Sequence, residues 1–336
     1  MTAFCNAATQ SVGENDVPFS GLEQLILSEC NIGVSGMEDL AKCLIKRGKD
    51  AGQCQRVHLN LSSNPIGNRG CASISQLCAV PSFGSVISKL QLSGCSIEDK
   101  GIKTLSSAAK CNPCIGLTAL DLSNNSISHF GAEVLADLLH MSWPDLVELN
   151  LAKNNIGSAG VVMIIQALLQ RSDITNDHPM ISNETIMVIK SLVQQSDAFS
   201  GANSTLKSLD LTETNCGIEG ASAALMSGGL TSLRLFNNKL GSDGFYSVAN
   251  LLRGGHPSIE HLDLGGNAAD EDSVVALLDA IGNIQGDGTI INKLSVLEIG
   301  GNSFGDKADA ALKRLKSVLP RLDVAHDKPV QNRAEE

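Results

Sequence analysis

The sequence predicts an α/β solenoid, with short parallel strands on one face and helices on the other. One pattern of leucine, asparagine and glycine returns along most of the 336 residues. Its clearest copy begins at Leu117 and reads LTALDLSNNSISHFGAEVLADLL, and the next copy begins at Leu146. In each copy an alternating apolar pair precedes an apolar run with helical spacing. Such a repeat predicts units that bury their apolar faces only against neighbouring units.

All copies can be aligned on one position, usually asparagine, that follows the alternating pair. Successive aligned positions are separated by 34, 31, 30, 29, 60, 24, 29, 35 and 25 residues. Because the spacing of 60 is twice a normal unit, a further unit is predicted between Asn154 and Thr214. The ten aligned positions are Cys30, Asn64, Cys95, Asn125, Asn154, Thr214, Asn238, Asn267, Asn302 and Asp327.

The apolar positions around the aligned residue predict a strand and then a helix. Aliphatic residues stand five and three positions before it, as Leu59 and Leu61 do before Asn64. Such alternation is typical of a strand with one buried face. Aliphatic residues ten to fourteen positions after it, as at Leu135 and Leu139, have helical spacing. Because a helix follows every strand, successive strands are expected to pair in parallel.

The aligned position itself is predicted to close the turn after each strand. A buried asparagine can both donate to and accept from backbone groups that have no ladder partner. Thr214 can do part of this, whereas Cys30 and Cys95 can do so only weakly. Several cysteines stand where the repeat places a small apolar layer residue, namely Cys30, Cys43, Cys78, Cys95 and Cys216.

A small residue follows six positions after the aligned one in nine units. We interpret this position as the place where a helix begins too close to its neighbour for a larger side chain. A catalytic use of glycine is the alternative, which nothing else in the sequence supports. These residues are Gly36, Gly70, Gly101, Gly131, Gly160, Gly220, Gly244, Ser273 and Ala308.

The repeat resembles the ribonuclease-inhibitor type of leucine-rich repeat over about residues 20–327. The resemblance implies a curved horseshoe with strands on the concave face and helices on the convex face. The same repeat occurs in ribonuclease inhibitors, in the Ran GTPase-activating protein and in the sensor domains of NLR immune receptors. We predict a single repeat domain of about ten or eleven units at 19–327, with disordered segments at 1–18 and 328–336.

Residues 171–203 interrupt the repeat. Asn183 can cap a helix that includes Ile186 and Ile189, but no alternating strand pattern precedes it. The strand of this unit is therefore either degenerate around Met180–Ile181 or absent. Repeat decay explains the interruption, and a binding insertion is the alternative because loops often carry function.

Composition bears on the partner and the compartment. The net charge of −11, without a basic cluster, argues against nucleic acid and is compatible with a basic protein partner. No apolar stretch is long enough to span a membrane, and the N-terminal residues lack a signal-peptide pattern. Ten cysteines in that context indicate free thiols in the cytoplasm, with the nucleus as the alternative.

No constellation of residues predicts catalysis, a cofactor or a metal. The seven histidines form no HExxH motif, and the chain has neither a phosphate-binding loop nor a nucleophile elbow. The lone CxxC at Cys111 and Cys114 lacks the second pair that a zinc site needs. We therefore predict that the protein is not an enzyme.

The strand residue between the two leucines is expected to point at solvent on the concave face. Beyond the fifth unit this row is acidic apart from Arg234. Strands lie about 4.8 Å apart, so the carboxylates would attract a basic partner. Aspartate is also frequent at this position of the repeat, so the row has a structural explanation as well. The row runs Ile26, Asn60, Gln91, Asp121, Asn150, Asp210, Arg234, Asp263, Glu298 and Asp323.

We predict a non-enzymatic scaffold or inhibitor that recognises a protein partner through the concave face. Arg234 and Phe236 are included in the site because both residue types are favoured at binding hot spots. A GTPase-activating protein of the Ran-activator type is the alternative, although the acidic tail usual in that family is missing here. A detached ligand-binding part of an immune sensor is the third hypothesis. The predicted partner-binding residues are Asp121, Asn150, Asp210, Arg234, Phe236, Asp263, Glu298 and Asp323.

Overall fold

The computed structural model describes residues 23–50, 57–79, 87–109, 116–141, 143–168, 205–227, 229–253, 258–282 and 293–326. Within these ranges ten strands alternate with nine helices. The strands are β1 (Gln24–Ile26), β2 (Val57–Asn60), β3 (Ile87–Gln91), β4 (Ala119–Asp121), β5 (Glu148–Asn150), β6 (Ser208–Asp210), β7 (Ser232–Arg234), β8 (His261–Asp263), β9 (Val296–Glu298) and β10 (Asp323–Ala325). The helices are α1 (Val34–Asp50), α2 (Gly67–Ala79), α3 (Asp99–Ala109), α4 (His129–Met141), α5 (Gly157–Leu168), α6 (Gly217–Met226), α7 (Gly241–Arg253), α8 (Glu271–Ile281) and α9 (Asp306–Val318).

The strands form one parallel sheet in which each strand pairs with the next one along the chain. A leucine at the middle of most strands points into the core, and the register places these leucines side by side, as in Leu120 beside Leu149. The residues before and after it therefore share the opposite face. This arrangement confirms the predicted α/β solenoid, with strands on the concave face and helices behind them.

The core is a continuous layer of aliphatic side chains between the sheet and the helices. In the fifth unit Leu149 and Leu151 from the strand side meet Ile156 from the turn and Ile164 from α5, and all four are buried. Burying one leucine or isoleucine contributes roughly 1.5–3 kcal/mol. Because each layer packs against the next, the stack gains stability unit by unit.

Buried amides close the turns after the strands, as predicted. Asn64 donates from Nδ2 to the carbonyls of Leu27 at 2.8 Å and Leu61 at 2.7 Å. Its Oδ1 accepts from the Ile32 N–H at 2.8 Å. Since Leu27 and Ile32 belong to the preceding unit, one side chain joins two units. Equivalent bonds are made by Asn125, Asn154, Asn238, Asn267 and Asn302.

The substitutes at the aligned position make fewer of these bonds. Thr214 donates from Oγ1 to the Leu211 carbonyl at 2.8 Å, and the buried Cys95 thiol reaches the Leu61 carbonyl at 3.2 Å. Cys30 is exposed, so the prediction of a small apolar layer residue is wrong there, because β1 is the first strand of the sheet within the described residues. Asp327 lies outside the described residues.

The small residues at the helix starts are explained by close packing. A Cβ built on Gly160 would lie 2.9 Å from the Ala132 Cβ and 3.1 Å from the His129 Cα, both in the preceding unit. In the later units Ser273 and Ala308 are fully buried at this position. Atoms of the preceding unit also crowd Gly101, Gly131 and Gly220, whereas the closest atoms to Gly70 and Gly244 belong to the turn of their own unit. Close approach of the neighbouring unit is therefore confirmed at Gly101, Gly131, Gly160 and Gly220.

The interruption adds no strand between β5 and β6. Leu149 pairs directly with Leu209, and α5 packs against α6. The further unit predicted between Asn154 and Thr214 therefore inserts no strand between β5 and β6 in the sheet. Whether its strand is degenerate around Met180–Ile181 or absent falls outside the described residues and stays a prediction. Residues 169–204 themselves lie outside the described residues. The predicted disorder at 1–18 and 328–336 also lies outside them and stays a prediction.

Candidate functional site

Two columns of side chains line the concave face, because each strand exposes the residue before and the residue after its buried middle residue. We call them the leading and the trailing column, in the order in which the chain reaches them. The leading column is Gln24, His58, Lys89, Ala119, Glu148, Ser208, Ser232, His261, Val296 and Asp323. The trailing column is Ile26, Asn60, Gln91, Asp121, Asn150, Asp210, Arg234, Asp263, Glu298 and Ala325.

The predicted row of solvent-facing residues corresponds to the trailing column, with one error, and does not include the leading column. Asp323 pairs with Val296, and it is Ala325 that pairs with Glu298. Asp323 therefore belongs to the leading column. Residues two positions apart on a strand lie on the same face. The alternation of apolar and polar residues therefore could not show that Asp323 belongs to the leading column and not to the trailing one. The leading column could have been found by reading two positions earlier in every unit.

Most acidic and amide side chains of the trailing column are bonded to the turn that follows their own strand. Each accepts at Oδ1 from the backbone N–H two residues ahead, at 2.9–3.0 Å. This Asx turn satisfies an N–H where the ladder ends. Aspartate in this column thus has a structural role that needs no partner. The five residues are Asn60, Asp121, Asn150, Asp210 and Asp263.

Asp263 departs furthest from the predicted solvent-facing row. It is only 8% exposed, because the longer side chains of Arg234 and Glu298 flank it in the trailing column. Burial raises the pKa of its carboxyl group; the hydrogen bond from the Gly265 N–H lowers it, and Glu298 raises it further. The expectation that Asp263 points freely at solvent is wrong, and a lysine there would bury an unpaired charge.

Charged and polar side chains also pair between neighbouring strands. Arg234 Nη1 lies 3.6 Å from Asp210 Oδ2, with 51% of the arginine side chain and 17% of the aspartate side chain exposed. His261 Nε2 lies 2.8 Å from Glu298 Oε1. These contacts leave Asp210 and Glu298 less available to a partner than a free carboxylate would be.

Phe236 stands just beyond β7, beside the concave face, and is 39% exposed. Cβ atoms built on Gly265 and Gly266 would lie 2.8 Å and 3.1 Å from its ring. The ring therefore rests against bare backbone, which leaves its other side open to solvent. A large apolar surface held this way loses little freedom on binding, which agrees with its selection as a candidate contact.

A depression near the middle of the concave face runs from β2 to β7. Its floor is strand backbone, because the side chains of Leu90, Leu120 and Leu149 are buried on the opposite, core side, and charged and polar side chains stand above that floor. Four of the predicted partner-binding residues line it, whereas the other four lie outside it. The lining four are Asp121, Asn150, Asp210 and Arg234, and it also contains His58, Lys89, Gln91, Glu148 and Ser208.

Reactive groups do not gather elsewhere in the described ranges. No three histidine, cysteine, aspartate or glutamate side chains there are grouped so that they could hold a metal ion. Burial raises the pKa of Cys71 and of Cys216 to about 12, so both thiols stay protonated and poorly nucleophilic at neutral pH. Cys111 and Cys114 lie outside the described residues. None of the described helices is long and apolar enough to cross a membrane.

Comparison with known proteins identifies the repeat. A family model described as Leucine Rich repeat matches residues 22–41, 57–75, 86–106 and 144–164, and one described as Leucine Rich Repeat matches residues 116–138. Human "NACHT, LRR and PYD domains-containing protein 5" is 27% identical over 68% of this chain and 18% of its own length. Mouse "Ribonuclease inhibitor" is 29% identical over 46% of this chain and 38% of its own length.

A further relative carries a different title. "Rho GTPase-activating protein gacW" of Dictyostelium discoideum is 22% identical over 80% of this chain and 24% of its own length. The chain thus aligns with no more than 38% of the length of any of these three relatives. A Listeria monocytogenes internalin superposes with a TM-score of 0.43 at 13% identity, over 97% of this chain and 89% of its own. That superposition is too loose to add to the fold already described.

Proposed function

Because the chain is a leucine-rich repeat protein of the ribonuclease-inhibitor-like type, we propose that it is a non-enzymatic scaffold or inhibitor that holds a protein partner on its concave face. The depression across β2–β7 carries this proposal. It gathers charged and polar side chains of both signs on neighbouring strands of one sheet, and such an arrangement can attract and orient a charged partner surface.

The charge of the concave face supports a partner with basic groups. The two columns contain six carboxylate side chains against Lys89 and Arg234 as the lysine and arginine side chains. The whole chain carries a net charge of −11. Opposite charge on a partner would speed its encounter with this face and help to orient it. An inhibitor that covers a basic enzyme is one form of this function.

The compartment proposed with this function is the cytoplasm, with the nucleus as the alternative. Cys43, Cys71, Cys95 and Cys216 are buried and form no disulfide, whereas Cys30 is exposed. Buried thiols in a repeat core are common where the environment is reducing. These thiols therefore act as small core residues.

Fewer observations support the other two hypotheses, which are a GTPase-activating protein and a sensor part of an immune receptor. The Dictyostelium relative is named as a Rho GTPase-activating protein, and 24% of its length aligns with this chain, so activation of a GTPase is the alternative hypothesis. GTP hydrolysis by a Ran-type GTPase, with and without this protein, would decide it. A sensor part of an immune receptor is another form of protein binding, and it would use the same concave face.

Affinity capture from a native lysate with three baits tests the proposal. The concave bait carries Glu148→Lys and Glu298→Lys, while the convex bait carries Glu38→Lys on α1 and Glu133→Lys on α4. Both variants exchange two glutamates for lysines, so their net charge changes equally. We expect a partner that the wild type and the convex bait retain and the concave bait loses. Loss from the convex bait alone, or equal retention by all three, would show that the concave face is not the site.

A further inference from the structure

Two charged side chains of the leading column, Lys89 and Glu148, have no structural task. Both are exposed, and among the described residues neither side chain takes part in a hydrogen bond or an ion pair. Ala119 and Ser208 flank Glu148 across the sheet, and both side chains are small. By contrast, Asp121 and Asp210 in the same depression each hold an Asx turn. The residues free to respond to a partner are therefore in the leading column.

The charges of the depression follow a definite order across the strands. Lys89 is on β3, the carboxylates of Asp121, Glu148 and Asp210 are on β4, β5 and β6, and Arg234 is on β7. Formal charge within the depression is therefore close to balance, unlike the charge of the whole chain. A uniformly basic partner would be attracted at the centre and repelled at both edges.

We propose that the depression selects a partner segment in which one basic side chain stands between two acidic ones, with Lys89 and Glu148 as specificity-determining residues. This inference rests on the proposed function, because it assumes that the partner binds the concave face. The central basic group faces Glu148 and Asp121. The outer acidic groups face Lys89 on one side and Arg234 on the other.

The sheet sets the spacing that such a segment needs. From β3 to β5, and again from β5 to β7, there are two strand intervals, or about 9.6 Å. A polyproline II segment rises about 3.1 Å per residue and returns to the same face every third residue, so its matching side chains lie about 9.3 Å apart. Acidic and basic residues three positions apart therefore match Lys89 and Glu148, which share the leading column. Arg234 stands two residues further along its strand in the trailing column, about 6.6 Å off that line, so its long side chain must reach across to meet the second acidic residue.

Three short synthetic peptides provide defined probes. The matched peptide is EPPKPPE, the inverted peptide is KPPEPPK, and the uniformly basic peptide is KPPKPPK, each capped at both ends and labelled for fluorescence anisotropy. The proteins are the wild type, a charge swap of Lys89→Glu with Glu148→Lys, and a control swap of Glu38→Lys with Lys42→Glu on α1. Both swaps leave the net charge unchanged and alter exposed side chains, and circular dichroism checks that each variant is folded.

We expect the wild type and the control swap to bind EPPKPPE about fivefold or more tightly than either other peptide, with the preference reduced by added salt. The swap of Lys89 and Glu148 should abolish that preference. Tighter binding of KPPKPPK, an unchanged preference in the swap, or no binding of EPPKPPE would each overturn the inference. The proposed function fails separately, through the capture experiment with the concave and convex baits.

Discussion

Replacing Asn267 with alanine is expected to destabilise the fold strongly. The Asn267 side chain is fully buried and bonds to five backbone groups in two units. Two of these keep another partner in the variant, because the Leu264 carbonyl also accepts from Asn302 Nδ2 and the Gly265 carbonyl accepts from the Asn237 N–H. The variant therefore isolates a limited number of buried groups, which makes its cost calculable.

Three groups lose the partner that the structure gives them. They are the Asn238 N–H at 2.8 Å, the Leu240 N–H at 3.4 Å and the Leu235 carbonyl at 3.0 Å. An unsatisfied buried polar group costs about 1–3 kcal/mol, and the longest of these bonds is the weakest. We therefore expect Asn267→Ala to lower the free energy of unfolding by about 3–6 kcal/mol.

Urea denaturation followed by circular dichroism measures this loss, with Asn150→Ala as the matched control. Asn150 is only partly buried and accepts one bond, from the Ala152 N–H at 3.0 Å, so its replacement should cost about 1 kcal/mol. Fluorescence of Trp143, the single tryptophan, gives a second probe near the middle of the stack. Coincident transitions would support one cooperative unit. An Asn267→Ala variant no less stable than Asn150→Ala would refute the role assigned to the buried amides.

Three further predictions concern stability. Because burial raises the pKa of Asp263 in the folded state, stability falls as pH rises from the ordinary aspartate pKa to the raised one. Asp263→Asn keeps an oxygen for the Gly265 N–H, so it should raise the melting temperature at about pH 7 and give no such increase at about pH 3. An equal increase in melting temperature at the two pH values would contradict the raised pKa of Asp263. Replacing residues 169–204 with a Gly-Ser linker should leave the circular dichroism spectrum of a folded repeat, because β5 and β6 already pair; loss of cooperative melting would oppose this. Gly160→Val should lower the free energy of unfolding measured in urea by about 2–5 kcal/mol, because its Cβ would meet Ala132 at 2.9 Å. As a control, Ala308→Gly at the equivalent position of a later unit should lower it by about 1 kcal/mol or less.

The sequence was sufficient for those features that depend on contacts between adjacent units. Alternating leucines, the aligned asparagine and the small residue at the helix start each satisfy a local requirement that recurs in every layer. The bonds of Asn64 to Leu27 and Ile32 and the close approach of Gly160 to Ala132 are such requirements. A pattern repeated in many units could therefore be recognised from one chain.

Features that depend on register or on chain length between units were less accessible. The spacing of 60 residues between Asn154 and Thr214 predicts two units, yet Leu149 pairs directly with Leu209, so the sheet contains a single step there. The spacing gives the number of residues between two units, but it does not determine whether those residues form a strand of the sheet. The prediction that Asp323 belongs to the trailing column is wrong for a related reason. A shift of two residues along the strand preserves the alternation of apolar and polar residues from which the column was predicted.

The two columns of the concave face carry different kinds of information about a partner. In the trailing column the turn already favours aspartate or asparagine, as Asn60 and Asp121 show, so acidic residues there are a weak signal of what binds. In the leading column no backbone bond constrains the charge at Lys89 or Glu148, and the turn offers no reason for either. Substitutions in the trailing column would also change the turn unless they keep the accepting oxygen, as Asp210→Asn does. The leading column is therefore where a change of binding can be separated from a change of fold.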